Sequence, residues 1–211
     1  MKTPAGGAGG AEPLQGSKYK GVIFDLDGTL TEPLLDFDAM RAEIGLPPGP
    51  ILEQLAHADG ATRARAEEIL RRHEREAIAR ATLADGCAEL LARLAALRVP
   101  AAILTRNVRE VVDTFARRFG FSFAAIYTRE DGPHKPAPDG VFALCAAMGA
   151  APADTLVVGD YKFDVLAGRA AGCPTVLVLG AHRPTAAELP DWGPPDLVVA
   201  SLRELLPRFA A

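Results

Sequence analysis

Four short segments carry residue types that could do chemistry together. Asp25-Leu26-Asp27-Gly28-Thr29 sets two carboxylates two positions apart. Where a chain leaves a strand, residues i and i+2 point to one side. A carboxylate pair of this kind invites a hard divalent cation such as Mg²⁺. It also offers two roles, one acid to attack and one to carry a proton. Gly28 lets the chain turn sharply and leaves backbone N–H groups available. Thr105-Arg106-Asn107 supplies a hydroxyl and free N–H groups where a helix begins, which suits a phosphate. Lys135 lies in Pro133-His134-Lys135-Pro136-Ala137-Pro138, where the prolines hold the chain out of a helix until Asp139. A lysine fixed in such a loop can neutralise a phosphate as a point charge. Gly159-Asp160-Tyr161-Lys162-Phe163-Asp164 places Asp160 and Asp164 at i and i+4, on one helix face. Lys162 falls on a different face and is expected to be exposed. Each segment has a plainer reading taken singly: a capped turn, an N-cap, a solvated lysine with a surface His134 beside it, or acids favoured by a helix dipole.

The elements that must position these residues alternate. Tyr19–Asp25 holds the short apolar run Val22-Ile23-Phe24, as in a strand covered on both faces. Similar runs recur at Ala101–Leu104, Thr155–Val158, Thr175–Leu179 and Leu197–Val199, with a weaker one at Phe123–Tyr127. Helical periodicity falls between them, at Cys87–Leu97, Val108–Phe119, Asp139–Met148, Val165–Ala171 and Leu202–Phe209. The alternation predicts an α/β fold, a Rossmann-like doubly wound parallel sheet wrapped by helices. Every candidate segment then sits at the C-terminal end of a strand, the edge where such sheets bind ligands.

Residues 34–83 break the alternation and predict a small all-helical insert after the first strand. Arg63–Ala81 reads as one long helix with Ala66, Ile69, Leu70, His73, Ala77 and Ile78 on its apolar stripe. Two shorter helices precede it, near Asp36–Ile44 and Pro50–Ala56, separated by Gly45 and the Pro47-Pro48 pair. Its seven arginines, at 41, 63, 65, 71, 72, 75 and 80, are expected mainly on solvated faces, paired with Glu67, Glu68, Glu74 and Glu76. The core is expected over 18–33 and 84–211. Residues 1–17, rich in Gly, Ala and Pro and without an apolar leader segment, are expected to form a flexible tail.

A net charge of −4 and a pI near 5.6 give no reason to expect a nucleic-acid duplex as partner. No apolar run is long enough for a membrane span. Cys87, Cys145 and Cys173 are far apart, in apolar surroundings and without a metal-binding spacing; they predict buried, reduced thiols and a cytoplasmic setting. Monomer and homodimer are both compatible with the sequence.

Taken in order, the pattern DxDGT, Thr, Lys and GDxxxD over residues 25 to 164 resembles the haloacid dehalogenase superfamily of aspartate-nucleophile phosphotransferases, in particular the small helical-cap subfamily related to phosphoglycolate phosphatase. The resemblance implies an attack on phosphorus by Asp25. It implies a proton carried by Asp27, first to the leaving oxygen and then from the water that clears the intermediate. Mg²⁺ would be held by Asp25, the Asp27 backbone carbonyl and Asp160. Phosphate would be bound by Thr105 and Lys135, with Gly28, Arg106 and Asn107 contributing, and Asp164 would stand behind the metal waters or Lys135. The insert would be the family's cap, with Phe37, Met40, Arg41 and Leu46 as candidates for substrate reading. The 27 residues from Asn107 to Pro133 are taken up by core elements, so a second cap is not expected there.

The implied substrate is a small phosphorylated metabolite: phosphoglycolate, a sugar phosphate or a nucleoside monophosphate. A phosphomutase of the β-phosphoglucomutase type and a non-catalytic binding protein on the same fold are the alternatives. The absence of lysine from the insert argues against phosphonate cleavage through a Schiff base, and the presence of Asp27 argues against dehalogenation. One departure stands out: many capped relatives follow Ser or Thr directly with Asn, whereas Arg106 intervenes here.

Overall fold

The computed structural model describes residues 19–179 and 192–209. The N-terminal tail expected over 1–17 lies outside the described residues. Six parallel strands form one sheet in the order β3-β2-β1-β4-β5-β6. They are β1 (Gly21–Phe24), β2 (Ala101–Leu104), β3 (Ala125–Tyr127), β4 (Thr155–Gly159), β5 (Thr175–Val178) and β6 (Leu197–Val199). The helices are α1 (Phe37–Ile44), α2 (Ile51–Ala56), α3 (Gly60–Arg80), α4 (Cys87–Ala96), α5 (Arg109–Phe119), α6 (Asp139–Met148) and α7 (Lys162–Ala171). The chain direction across the sheet reverses between β1 and β4, the place where an open α/β sheet leaves a crevice.

Alternation along each strand divides the core into two layers. Val22, Phe24, Ile103, Leu156 and Val158 face Leu90 and Leu94 of α4, Phe115 of α5 and Leu205 near the C-terminus. Ile23, Ala102, Leu104 and Val157 face Val141 and Leu144 of α6 and Ala167 of α7. All three cysteines are free thiols within these layers.

Helices α1–α3 carry a small core of their own, in which Met40, Ile44, Ile51, Leu55, Ala66, Ile69 and Leu70 pack together. The connections into and out of this insert run side by side. Glu32 N–H donates to Thr82 O and Ala84 N–H to Leu30 O, both at 3.0 Å. The second half of α3 lies against the main core through Ile78.

Several boundaries differ from the sequence expectation, each for a local reason. Helix α3 starts at Gly60, not Arg63, because the Asp59 carboxylate accepts the Thr62 N–H and caps it. Helix α7 starts at Lys162, three residues early, because Asp164 caps it by accepting the Tyr161 N–H. Residues Leu202–Phe209 form a 3₁₀ helix with Pro207 inside it, where the missing N–H spoils α-helical bonding. Phe123 is outside β3; its ring packs on Phe115. On α3 the buried stripe contains Glu74, and His73 turns outward to Glu43.

Candidate active site

The register of the sheet brings the four segments to one edge. Phe24 pairs with Ile103 of β2 and Val158 of β4, so Asp25 follows β1 level with the ends of both neighbours. The Asp25 N–H donates to Val158 O at 2.9 Å, which fixes its backbone against β4. Asp160 leaves β4 directly beside it. Thr105 leaves β2, and Lys135 comes from the loop after β3.

Carboxylate oxygens of Asp25, Asp160 and Asp164 lie within 4.8 Å of one another. Lys135, only 2% exposed, reaches between two of them: its Nζ is 2.7 Å from Asp25 Oδ1 and 2.5 Å from Asp164 Oδ1. Asp164 is therefore the partner of Lys135 as well as the cap of α7, which leaves Asp25 and Asp160 with oxygens for a cation. Thr29 donates its hydroxyl to Asp160 Oδ1 at 3.3 Å.

Two glycines make this packing possible. Gly28 has φ +80°, and a Cβ there would collide with the Asp160 carboxylate. At Gly159 a Cβ would collide with the carboxyl of Asp164.

Crowding of acids dominates the electrostatics. Burial, and then the negative charge of Asp25, push the Asp27 carboxyl up to about 7, against a hydrogen bond from the Leu34 backbone that pulls it down. Burial raises Asp164 to about 6, opposed by Lys135. Asp160 is raised well above the usual carboxylate range by burial and by the charges of Asp25 and Asp164. Burial alone would lower Lys135, but Asp164 and Asp25 outweigh it and the ammonium is held above its ordinary range. Four acids around one lysine leave an excess of negative charge. That excess, on hard oxygen donors in a crevice, fits a divalent cation of the Mg²⁺ kind. The arrangement separates its two leading acids chemically: Asp25 is ion-paired and points at the crevice, while Asp27 can hold a proton near neutral pH.

Thr105 is buried, and its Oγ accepts the Asn107 N–H at 3.1 Å; its own O–H has no acceptor among the described residues. Arg106 does not extend over the crevice as a free phosphate ligand. Its Nη2 donates to both carboxylate oxygens of Glu53 of α2, at 2.7 and 2.8 Å, and its guanidinium lies 4.2 Å from the ring centre of Phe163. Asn107 is buried and turned toward the insert, where it lines a pocket with Asp27. Lys162 is half-buried beside the Tyr161 and Phe163 rings, so it is less exposed than expected.

In the insert, Met40 is sealed in the small core and Leu46 packs against it, while Arg41 is engaged by Asp38 and Gly49 O. Of the residues expected to read substrate, Phe37 is the exposed one. The expected pairing of Glu74 with insert arginines is also corrected: its partner is Arg129, from the loop after β3. Arg129 was not anticipated. Its side chain is 7% exposed and joins Glu74, Glu67 and the Arg106 carbonyl. The spacing Ala66, Leu70, Glu74, Ile78 is the signal that places Glu74 on the buried stripe.

The sequence profile of the haloacid dehalogenase-like hydrolases matches residues 32–178. The chain belongs to that family. The match spans Thr105, Lys135, Asp160 and Asp164, and relatives extend the similarity over more of the chain. A haloacid dehalogenase-like hydrolase domain-containing protein of Arabidopsis thaliana is 32% identical over 89% of this chain and 78% of its own length. A phosphoglycolate phosphatase of Chromobacterium violaceum is 31% identical over 88% of this chain and 94% of its own. In fold, the chain resembles a hydrolase from Pseudomonas syringae with a TM-score of 0.77, at 23% identity over 89% of this chain and 96% of that one. Within the family, this enzyme stands with the phosphatases.

Proposed function

We propose that this enzyme is a Mg²⁺-dependent phosphatase that hydrolyses a small phosphate monoester through an aspartyl-phosphate on Asp25. The observation that carries the reading is Lys135 held between Asp25 and Asp164 inside a cluster of acids. A lone ion pair would need one acid. A site that must bind a cation and a phosphate together needs this surplus of oxygens and a fixed positive group beside them.

Asp25 and Asp160, with the Asp27 backbone carbonyl, would hold Mg²⁺, which when bound shields the phosphate charge from the attacking carboxylate. Asp25 attacks phosphorus with one oxygen while Lys135 keeps the carboxylate aligned. The Thr105 hydroxyl holds a phosphate oxygen; the N–H groups of Thr29, Leu30 and Thr31 after Gly28 are already donated to Leu26 O, so the glycine turn contributes close packing rather than phosphate donors. Asp27, able to carry a proton near neutral pH, gives it to the leaving alkoxide and then takes one from the water that cleaves the intermediate. The three-helix insert serves as a cap over the crevice. The negative net charge fits a free metabolite better than a duplex as substrate. No helix among the described residues is long and apolar enough to cross a membrane.

Purified protein is expected to release p-nitrophenol from p-nitrophenyl phosphate with Mg²⁺ and to stop on chelation. The Asp25→Asn variant should lose about 10³-fold or more in kcat. Full activity in that variant would remove Asp25 from its role.

A further inference from the structure

A pocket opens on the insert side of Asp27. Its wall is largely apolar, with Leu34, Ala77 and Ile78 among its residues, and four polar side chains line it: Asp27, Asn107, Glu74 and Thr31, whose hydroxyl is already donated to Leu26 O. Glu74 is 5% exposed. Arg129 holds its Oε1 at 2.5 Å, but its Oε2 is buried and has no hydrogen-bond partner among the described residues. A buried carboxylate oxygen is costly to leave unpaired, so such an atom points to a missing donor. The side-chain amide of Asn107 makes no hydrogen bond among the described residues, and its backbone is already fixed by Thr105 and Arg129. The cavity is about 10 Å³, room for one water-sized polar group rather than a whole ligand.

The pocket's position identifies which part of a substrate would enter it. Resting on the phosphatase reading, Asp27 delivers a proton to the leaving oxygen. The alcohol portion of the ester must therefore lie at Asp27 and extend into the space beyond it, where Glu74 stands. We infer that Glu74 reads the leaving group, and that this group carries a hydrogen-bond donor, a hydroxyl or an ammonium, close to the ester carbon. Above pH 7, where Glu74 has given up its proton, a carboxylate in the same place would meet a second carboxylate at the open Glu74 oxygen. Arg129 does not offset it, because its single charge is already shared between Glu74 and Glu67. The inference sets this enzyme apart from the phosphoglycolate phosphatases it resembles, whose substrate carries a carboxylate at that distance.

A matched two-carbon series tests this: 2-hydroxyethyl phosphate, O-phosphoethanolamine and 2-phosphoglycolate, assayed at pH 8 for phosphate release with Mg²⁺ beside p-nitrophenyl phosphate. The wild type should favour the hydroxyl or ammonium ester over phosphoglycolate by about tenfold or more in kcat/KM. In Glu74→Gln, which keeps an acceptor for Arg129, that ratio should fall to within about threefold. The wild-type series stands by itself if the variant is poorly folded. Turnover of p-nitrophenyl phosphate with phosphoglycolate as good as the other two, or an unchanged ratio in a folded variant, overturns the role of Glu74 alone. No turnover of any ester, p-nitrophenyl phosphate included, overturns the phosphatase reading with it.

Discussion

Asp25 and Glu74 are both acids withdrawn from solvent and gripped by a basic side chain, yet their surroundings are built to opposite balances. Around Asp25 the acids outnumber the bases: Lys135 serves Asp25 and Asp164, while Asp160 and Asp27 are left with raised proton affinity. Around Glu74 the base is shared outward, with Arg129 tying Glu74 and Glu67 of α3 to the loop after β3. The first grouping has a surplus of acid that the proposed cation and phosphate site would use. The second holds the insert against the core and leaves one oxygen over. On the proposed reading, chemistry common to many substrates sits in the sheet edge, and discrimination between substrates sits where α3 meets that edge.

The largest break in this comparison comes from removing the cation of the first grouping. Lys135→Ala leaves Asp25, Asp160 and Asp164 facing one another. Its cost in the absence of metal is expected at about 3–5 kcal/mol, measured by denaturant unfolding. Added Mg²⁺ should recover part of that loss, since binding to the folded state alone stabilises it. No recovery would mean that the acids do not form a cation site.

Arg129→Ala applies the same operation to the second grouping. Glu74 can escape part of the penalty by keeping a proton, so a smaller loss of about 2 kcal/mol is expected, with no recovery from Mg²⁺. Equal losses and equal Mg²⁺ responses in the two variants would erase the distinction.

A third effect follows from Glu74 itself. Burial, against the pull of Arg129, raises its folded-state affinity for a proton to about 7, from an ordinary value of 4.5. Between those values the folded state binds more protons than the unfolded state. Its contribution is therefore present at low pH and is lost as pH rises from 4.5 through 7. Asp27 and Asp164 are raised in the same direction, so the comparison is made between wild type and Glu74→Gln. From pH 5 to pH 8 the wild type should lose more unfolding free energy than the variant, by a margin on the order of 3 kcal/mol. Parallel curves would show that Glu74 is charged in both states.

The smallest effect is expected at the Arg106–Glu53 contact. It is part-exposed, with Glu53 37% exposed, and Glu53→Gln should change stability by less than about 1 kcal/mol.

The difference between the groupings also explains what could be read from sequence. Asp25, Asp27, Lys135, Asp160 and Asp164 follow strands whose short apolar runs are visible, and parallel pairing carries strand ends to one edge whatever fills the loops. The strand order itself, and the loss of α-helical bonding around Pro207, depend on packing between distant segments. Glu74 was hidden because its charge suggested a solvated face, and because Arg129, the residue that lets it be buried, lies 55 positions away along the chain. Arg106 was misleading for a similar reason: it stands next to Thr105, but Glu53 and Phe163 draw its guanidinium aside.

The central claim concerns a covalent bond, and that bond can be trapped. Acid quenching of the enzyme during turnover of p-nitrophenyl phosphate, followed by borohydride, reduces an aspartyl-phosphate to homoserine that mass spectrometry locates in the peptide. Homoserine at position 25, absent without substrate, is the expected result. Homoserine at another aspartate, or none anywhere while phosphate is being released, would contradict the assignment of Asp25 as the attacking group.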